Sequence, residues 1–452
     1  MRVSTIDRYL PEAGTVVEWP AGTAVADPPA VPAPPSFNQR FHLATADRRD
    51  GPSTWLAVAV DLPGPLDPGA LRAALTSWLR RHETLRSGFR RRGDRLERFV
   101  VPAAEVTVGE SGGREFDDPV TLREHLRARL DAVCRPLGWP SYLLATIVRP
   151  GLSTLFCGFD HRDVDGYSLA VAAHELPEIY AAVRAGVPVR LPPAASFLEF
   201  CAREQAAVDL PAGAVRRWRD FLAAGGGTTP RFPLDLGARP GRALPQATGM
   251  SRLLDGAGAE AFAAACRAAD GSSVTGVLAA AGLAARRLGG GPVLRLLTPL
   301  HTRTAPRWRH TVGWLTTVAP LTVDARAGRF ADAVAAAGAE FRAAREHVDV
   351  PVARVLDALG DAFRRDGDDV FMLSYVDYQR LPGAEWHGPR RAWHISNVTA
   401  TDDAQFWVSR THDGLFLRSR YPATPEAERS VGAFVGALGE TLAEVAHGVA
   451  AR

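Results

Sequence analysis

Two apolar runs, 142–148 and 154–159, flank Arg149-Pro150-Gly151, and the second leads straight into Asp160-His161-Arg162-Asp163-Val164-Asp165-Gly166. A proline-glycine turn between β-prone runs predicts a hairpin, and the apolar spacing of 169–182 predicts a helix immediately afterwards. A chain of this kind must seat a charged loop between the end of a sheet strand and the start of a helix. The loop carries one imidazole, His161, and a carboxylate four residues later, Asp165. An imidazole with an ordinary pKa of about 6.5 is largely neutral near physiological pH, which suits a general base. Asp165 reads as the pin of the loop, its carboxylate buried against an arginine. Gly166 reads as a turn position that a side chain would block. A surface histidine without a role is the competing reading of these seven residues taken alone. The three aspartates miss a calcium-loop spacing by one residue and lack its distal glutamate, so no metal is assigned.

At 452 residues the chain exceeds one ordinary core, which predicts two domains. The expected division is 1–206, a joint at 207–250 containing Gly225-Gly226-Gly227 and several prolines, and 251–452. Helical spacing also marks 71–79, 122–130, 215–222, 259–268, 274–286, 330–347 and 425–447. Strand-like runs fall at 293–299, 315–323, 371–377, 394–399, 406–409 and 415–421. Strands and helices mix in both halves without regular βαβ alternation, so the expected class is α/β in the broad sense, with mixed α+β sheets.

With 53 basic and 50 acidic residues, net charge +3, the chain carries no global footprint for nucleic acid or a membrane surface. Four scattered cysteines show neither disulfide nor zinc spacing and read as reduced, buried thiols. The longest apolar run, 274–285, is too short to span a bilayer, and no signal peptide is visible. The expected location is the cytoplasm. No G-x-S-x-G, Walker A or strand-preceded G-x-G-x-x-G sequence occurs, so no motif supports a covalent acyl-enzyme.

Other compact segments are Arg81-His82-Glu83-Thr84-Leu85-Arg86-Ser87-Gly88-Phe89, Ser36-Phe37-Asn38-Gln39 and Phe197-Leu198-Glu199-Phe200. Further along lie Thr298 to Arg303, Val312-Gly313-Trp314 with Thr317, and His347-Val348-Asp349-Val350-Pro351. Each alone has a bland explanation in packing or strand-end polarity. Together, in this order, they resemble the condensation-domain superfamily of acyltransferases, whose motif H-H-x-x-x-D-G is matched at 160–166 except that Asp160 stands for the first histidine. Trp314, Ser374 to Asp377 and Thr411 to Leu415 are more similar to polyketide-associated (Pap) acyltransferases than to modular peptide synthetases.

The resemblance implies two chloramphenicol-acetyltransferase-like subdomains in a V-shaped pseudo-dimer with an active-site tunnel between them. It implies a free-standing, monomeric enzyme with no bound cofactor. An acyl-CoA or an acyl group on a carrier protein's phosphopantetheine would be the co-substrate, and a small alcohol or amine the acceptor. Site expectations are His161 as base or positioning residue, Asp165 in the loop's architecture, and the Gly166 N–H near the developing oxyanion. Trp314, Thr317, Arg303 and Arg86 are expected at the substrate, with Arg303 or Arg86 also a candidate partner for Asp165. Asp160 is expected to alter loop packing or to raise the pKa of His161. Competing readings are a catalytically silent module that docks a carrier protein and recruits another enzyme, and a condensation-fold cyclase or epimerase.

Overall fold

The structure is a computed structural model and describes residues 1–46, 53–206 and 209–448. The chain forms two compact units. The first comprises Met1–Val208, Arg303–Leu315 and Arg380–Asn397; the second comprises Asp209–Thr302, Thr316–Gln379 and Val398–Arg452.

The first unit is built on a seven-stranded mixed sheet. Its strand order is Arg2–Thr5, Trp393–Ser396, Trp55–Pro63, Leu152–Asp160, Tyr142–Arg149, Gly14–Glu18 and Arg114–Phe116. The expected hairpin is central: Leu152 pairs with Arg149 and Phe159 with Tyr142, while Asp160 pairs with Trp55 on the other side. Leu152–Asp160 is buried along nearly its whole length because helices and neighbouring strands cover it. Pro119–Val133 buries Leu122, Leu126 and Leu130 at helical spacing. It packs so close to the sheet that a Cβ on Gly158 would lie 2.1 Å from Leu130 Cδ2. The helices Pro68–Arg81, Pro119–Val133 and Gly166–Arg184 each begin at an aspartate, Asp67, Asp118 or Asp165. Each carboxylate accepts a hydrogen bond from a backbone N–H of the first turn.

The second unit repeats the plan with its own seven-stranded sheet: Thr316–Asp324, Val293–His301, Met372–Asp377, Gln405–Thr411, Gly414–Pro422, Leu244–Asp255 and Ala400–Thr401. Gly256–Ala268, Ser273–Arg287, Phe330–Arg345 and Pro425–Ala446 supply the alanine-rich layer of its core. All four cysteines are free and buried.

The division differs from expectation in two ways. Residues 209–250, within the expected joint, belong to the second unit. Ala212–Ala223 buries Trp218, Phe221 and Leu222 against Leu297, Val355 and Leu359, and Leu244–Asp255 is a full strand paired along Gly414–Pro422. The glycine- and proline-rich stretch between them is irregular. Second, residues 303–315 and 380–397 belong to the first unit, where Trp393–Ser396 pairs with Arg2–Thr5 and Trp55–Pro63. A split at one point along the chain cannot represent segments that return to the first sheet.

Candidate active site

The site loop leaves the sheet at Asp160. His161 N donates to the Thr54 carbonyl (2.9 Å) and Asp163 N to the Asp160 carbonyl (3.0 Å), closing a tight turn. Arg162 is fully buried and anchors that turn. Its Nη2 donates to Ser141 Oγ (2.7 Å) and the Gly138 carbonyl (3.1 Å), its Nη1 to the Pro136 carbonyl, and it pairs with Asp163. Two of the compact segments brace the same turn. In the first, Ser36 Oγ accepts from Gln39 N and Gln39 Oε1 accepts from Ser36 N, both at 3.1 Å, a capping box that starts the helix Phe37–Ala46. Gln39 Nε2 then donates to the Arg162 carbonyl (3.0 Å). In the second, Arg81 and His82 converge on buried Glu175 of Gly166–Arg184, with His82 Nε2 at 2.6 Å, while Phe89 lies beneath the Arg162 guanidinium.

Asp165 is the cap of Gly166–Arg184 and is nearly inaccessible. Its carboxylate accepts from Arg303 Nη1 (2.6 Å) and Nη2 (3.0 Å), from Ser168 N (2.8 Å) and from Leu315 N (3.1 Å). Burial opposes its ionisation, but the Arg303 charge and these donors hold it below the usual carboxylate range. Arg303 is consumed in this clamp, with Ser168 Oγ and the Thr311 carbonyl as further partners. Both Nη groups of Arg303 are thus engaged by protein partners, which makes it the counter-charge of Asp165 among the two candidates. Arg86, the other candidate, donates to the Val101 carbonyl (2.9 Å) and reaches neither Asp165 nor His161. Being on the one-turn helix Glu83–Arg86, it points toward the hairpin Ser87–Arg92/Arg95–Val100.

The clamp positions Trp314. Because Leu315 N is fixed on Asp165, the indole one residue earlier lies on His161, ring centroids 3.9 Å apart and planes 31° apart. Gly313 lets the segment approach: a Cβ there would lie 2.3 Å from the Phe197 ring. His161 Nδ1 is buried without a partner of ordinary geometry. Burial, followed by the charge on His42, depresses the His161 pKa to about 4. The opposing pulls of its own carbonyl, Asp165 and Asp160 are weaker. The expected rise from Asp160 is thus outweighed.

The reason given for Gly166 changes. The backbone at Gly166 is ordinary helix, so no turn demands glycine there. The constraint is a buried imidazole, His394 Cε1, which would sit 3.3 Å from a Cβ. Thr317 belongs to the second unit, on Thr316–Asp324, where it lines a small cavity of about 20 Å³ with Trp218, His347 and Val355.

Sequence reasoning missed His42. Asp160 is fully buried, and its Oδ1 accepts from His42 Nε2 (2.8 Å) and Arg162 N (3.0 Å), its Oδ2 from Ser53 Oγ (2.5 Å). Burial would raise the Asp160 pKa, but the charge and N–H of His42 hold it below the usual range. Serine, histidine and aspartate meet here without forming a nucleophilic triad. Both Ser53 and Asp160 face the same nitrogen, Nε2, and Ser53 donates to the aspartate, whereas a triad uses opposite sides of the ring. The signal available in sequence was His42 lying three residues beyond Gln39, on the same helix face.

The site therefore presents a neutral imidazole stacked on an indole beside a buried ion-pair clamp. Residues 146–379, more than half of the chain, match the family model for the condensation domain. The chain belongs to the condensation-domain family, and it is an acyltransferase. Its full-length relatives include acyltransferase PapA3 of Mycobacterium tuberculosis (strain ATCC 25618 / H37Rv), 27% identical over 99% of this chain and 97% of that protein. Trehalose-2-sulfate acyltransferase PapA2 of the same strain is 28% identical over 99% and 98%. Among solved structures, a PapA2 acyl transferase superposes with a TM-score of 0.88 at 27% identity, over 99% of this chain and 100% of that one. The first condensation domain of the CDA synthetase shares the fold, TM-score 0.72 at 21% identity, over 92% and 97%. That fold has two chloramphenicol-acetyltransferase-like subdomains. Among the described residues no single helix is long and apolar enough to cross a membrane.

Proposed function

We propose that this acyltransferase moves an acyl group from a thioester, on CoA or on a carrier protein's phosphopantetheine, to a hydroxyl acceptor in cytoplasmic lipid biosynthesis. His161 Nε2 accepts the acceptor's proton as the oxygen attacks the thioester carbonyl. The C–S bond then breaks, the proton passes from the imidazolium to the departing thiolate, and the products are an ester and a free thiol. No acyl-enzyme intervenes and no bound cofactor is needed. The observation that carries this reading is the neutral imidazole of His161 lying against Trp314, with Nδ1 buried. A resting pKa near 4 makes it a weak base that is always available, so positioning the acceptor must supply much of the acceleration. The start of Gly166–Arg184 supports an oxyanion site, because first-turn N–H groups of a helix lack internal partners.

A hydroxyl acceptor is favoured over an amine because the named relatives include one acting on trehalose-2-sulfate. A sugar or glycolipid hydroxyl is the first candidate. The test is to incubate the purified protein with acyl-CoAs of increasing length or an acylated carrier protein, plus sugar and lipid alcohols. Thiol release and product mass are then followed. Thiol release accompanied by an ester supports the reading. An amide product would overturn the acceptor assignment, and tight carrier-protein binding without transfer from any donor would favour a recruitment module.

A further inference from the structure

His42 and Asp160 form a pair that the motif resemblance did not foresee. The motif's first position, a histidine in the family pattern, is here an aspartate, and an imidazole is nevertheless present, delivered from Phe37–Ala46. Its placement is over-determined. The capping box fixes the helix start, Gln39 ties the helix to the Arg162 carbonyl, and Asp160 accepts the His42 N–H at 2.8 Å. Both partners are buried, His42 at 8% exposure and Asp160 at 0%. The His42 ring meets Trp314 edge-on, centroids 6.0 Å apart at 75°, while His161 stacks on the same indole. Trp314 thus meets two imidazoles, one of them held by a carboxylate.

We infer that the His42–Asp160 pair is a positioning device for His161, supplying from outside the motif the imidazole that the motif's first residue lacks and fixing the indole on which His161 rests. The pair touches no reacting atom and works through Trp314 and through its charge. The charged and titratable groups around it are Asp160, Arg162 and Asp163 of the loop, Asp165 at the head of the following helix, and His161 itself. Arg162 is paired with Asp163 and Asp165 with Arg303. The balance reaching His161 is therefore sensitive to the remaining pair, and the charge on His42 lowers its pKa. A buried carboxylate whose imidazole partner is removed would push that pKa the other way.

This inference rests on His161 being the working base, so its test reads His161 without turnover. Histidine-labelled protein is titrated by NMR without substrate, the His161 signal being identified by its loss in His161→Ala. The probe variant is His42→Gln, whose amide nitrogen falls near Nε2 and keeps a donor to Asp160. The His161 midpoint is expected near 4 in the parent protein and about one unit higher in His42→Gln. An unchanged midpoint overturns the inference. Should His42→Gln not fold, Asp160→Asn carries the test: a shifted His161 resonance supports the pairing, and an unmoved one overturns it. In turnover, His42→Gln is expected to lower kcat about tenfold with little change in KM; a loss confined to KM overturns the positioning role. If the parent protein transfers no acyl group at all, the functional reading falls while the titration still decides the pairing.

Discussion

At the residue scale desolvation sets the protonation of His161. His161 has a folded-state pKa near 4 and an unfolded value of about 6.5. Between those values the unfolded chain binds the extra proton, so stability is full above about pH 6.5 and falls as the pH drops toward 4. Urea unfolding at pH 7 and pH 5 should therefore show the parent protein losing more stability than His161→Ala; equal losses would contradict the depressed basicity. Asp165 is the opposite case. Its lowered pKa contributes stability that is present above the ordinary carboxylate range and lost as the pH falls through the folded value. Because Asp165→Ala leaves Arg303 buried and unpaired, it should cost about 3–5 kcal/mol. Asp165→Ala/Arg303→Met should recover part of that, and denaturant midpoints of the two variants decide the matter. His161 and Asp165 were legible in the sequence because they share one contiguous loop. His42 and His394 were not, since their meaning comes from side chains more than 100 residues away that only folding brings near.

At the element scale the long, periodic segments were readable: the central hairpin, the helices after it and the alanine-rich helices of the second unit. Short or edge elements were not, among them Arg2–Thr5, Gly14–Glu18 and the hairpin Ser87–Arg92/Arg95–Val100. Their sequences carry too few apolar alternations to stand out from loops, and it is pairing that makes them strands. Leu244–Asp255 was hidden similarly, its half-buried pattern interrupted by proline and glycine. Two substitutions probe the elements that carry the site. Gly313→Ala would press on the Phe197 ring at 2.3 Å and should destabilise the fold by about 1–3 kcal/mol, read as a lowered melting temperature. A melting temperature equal to the parent's would show that Phe197 yields freely. Gln39→Ala removes half of a capping box and the tie to the Arg162 carbonyl, and should cost about 1 kcal/mol, measured the same way.

At the scale of the whole molecule, length predicts two domains, and the first compact unit is assembled from three stretches of chain. That assembly has a consequence. A fragment ending at Val208 lacks Arg303, Trp314 and the strand Trp393–Ser396. It should show no cooperative calorimetric transition, because its sheet would lose an inner strand and Asp165 its counter-charge. A fragment that melts cooperatively would contradict the assignment of those segments to the first core. The most direct measurement is kcat/KM for thiol release by the parent protein and His161→Ala, with one thioester donor and one alcohol acceptor. The expected result is a fall of about 10²- to 10⁴-fold at an unchanged melting temperature. A variant that retains the parent's kcat/KM would contradict the role given to His161.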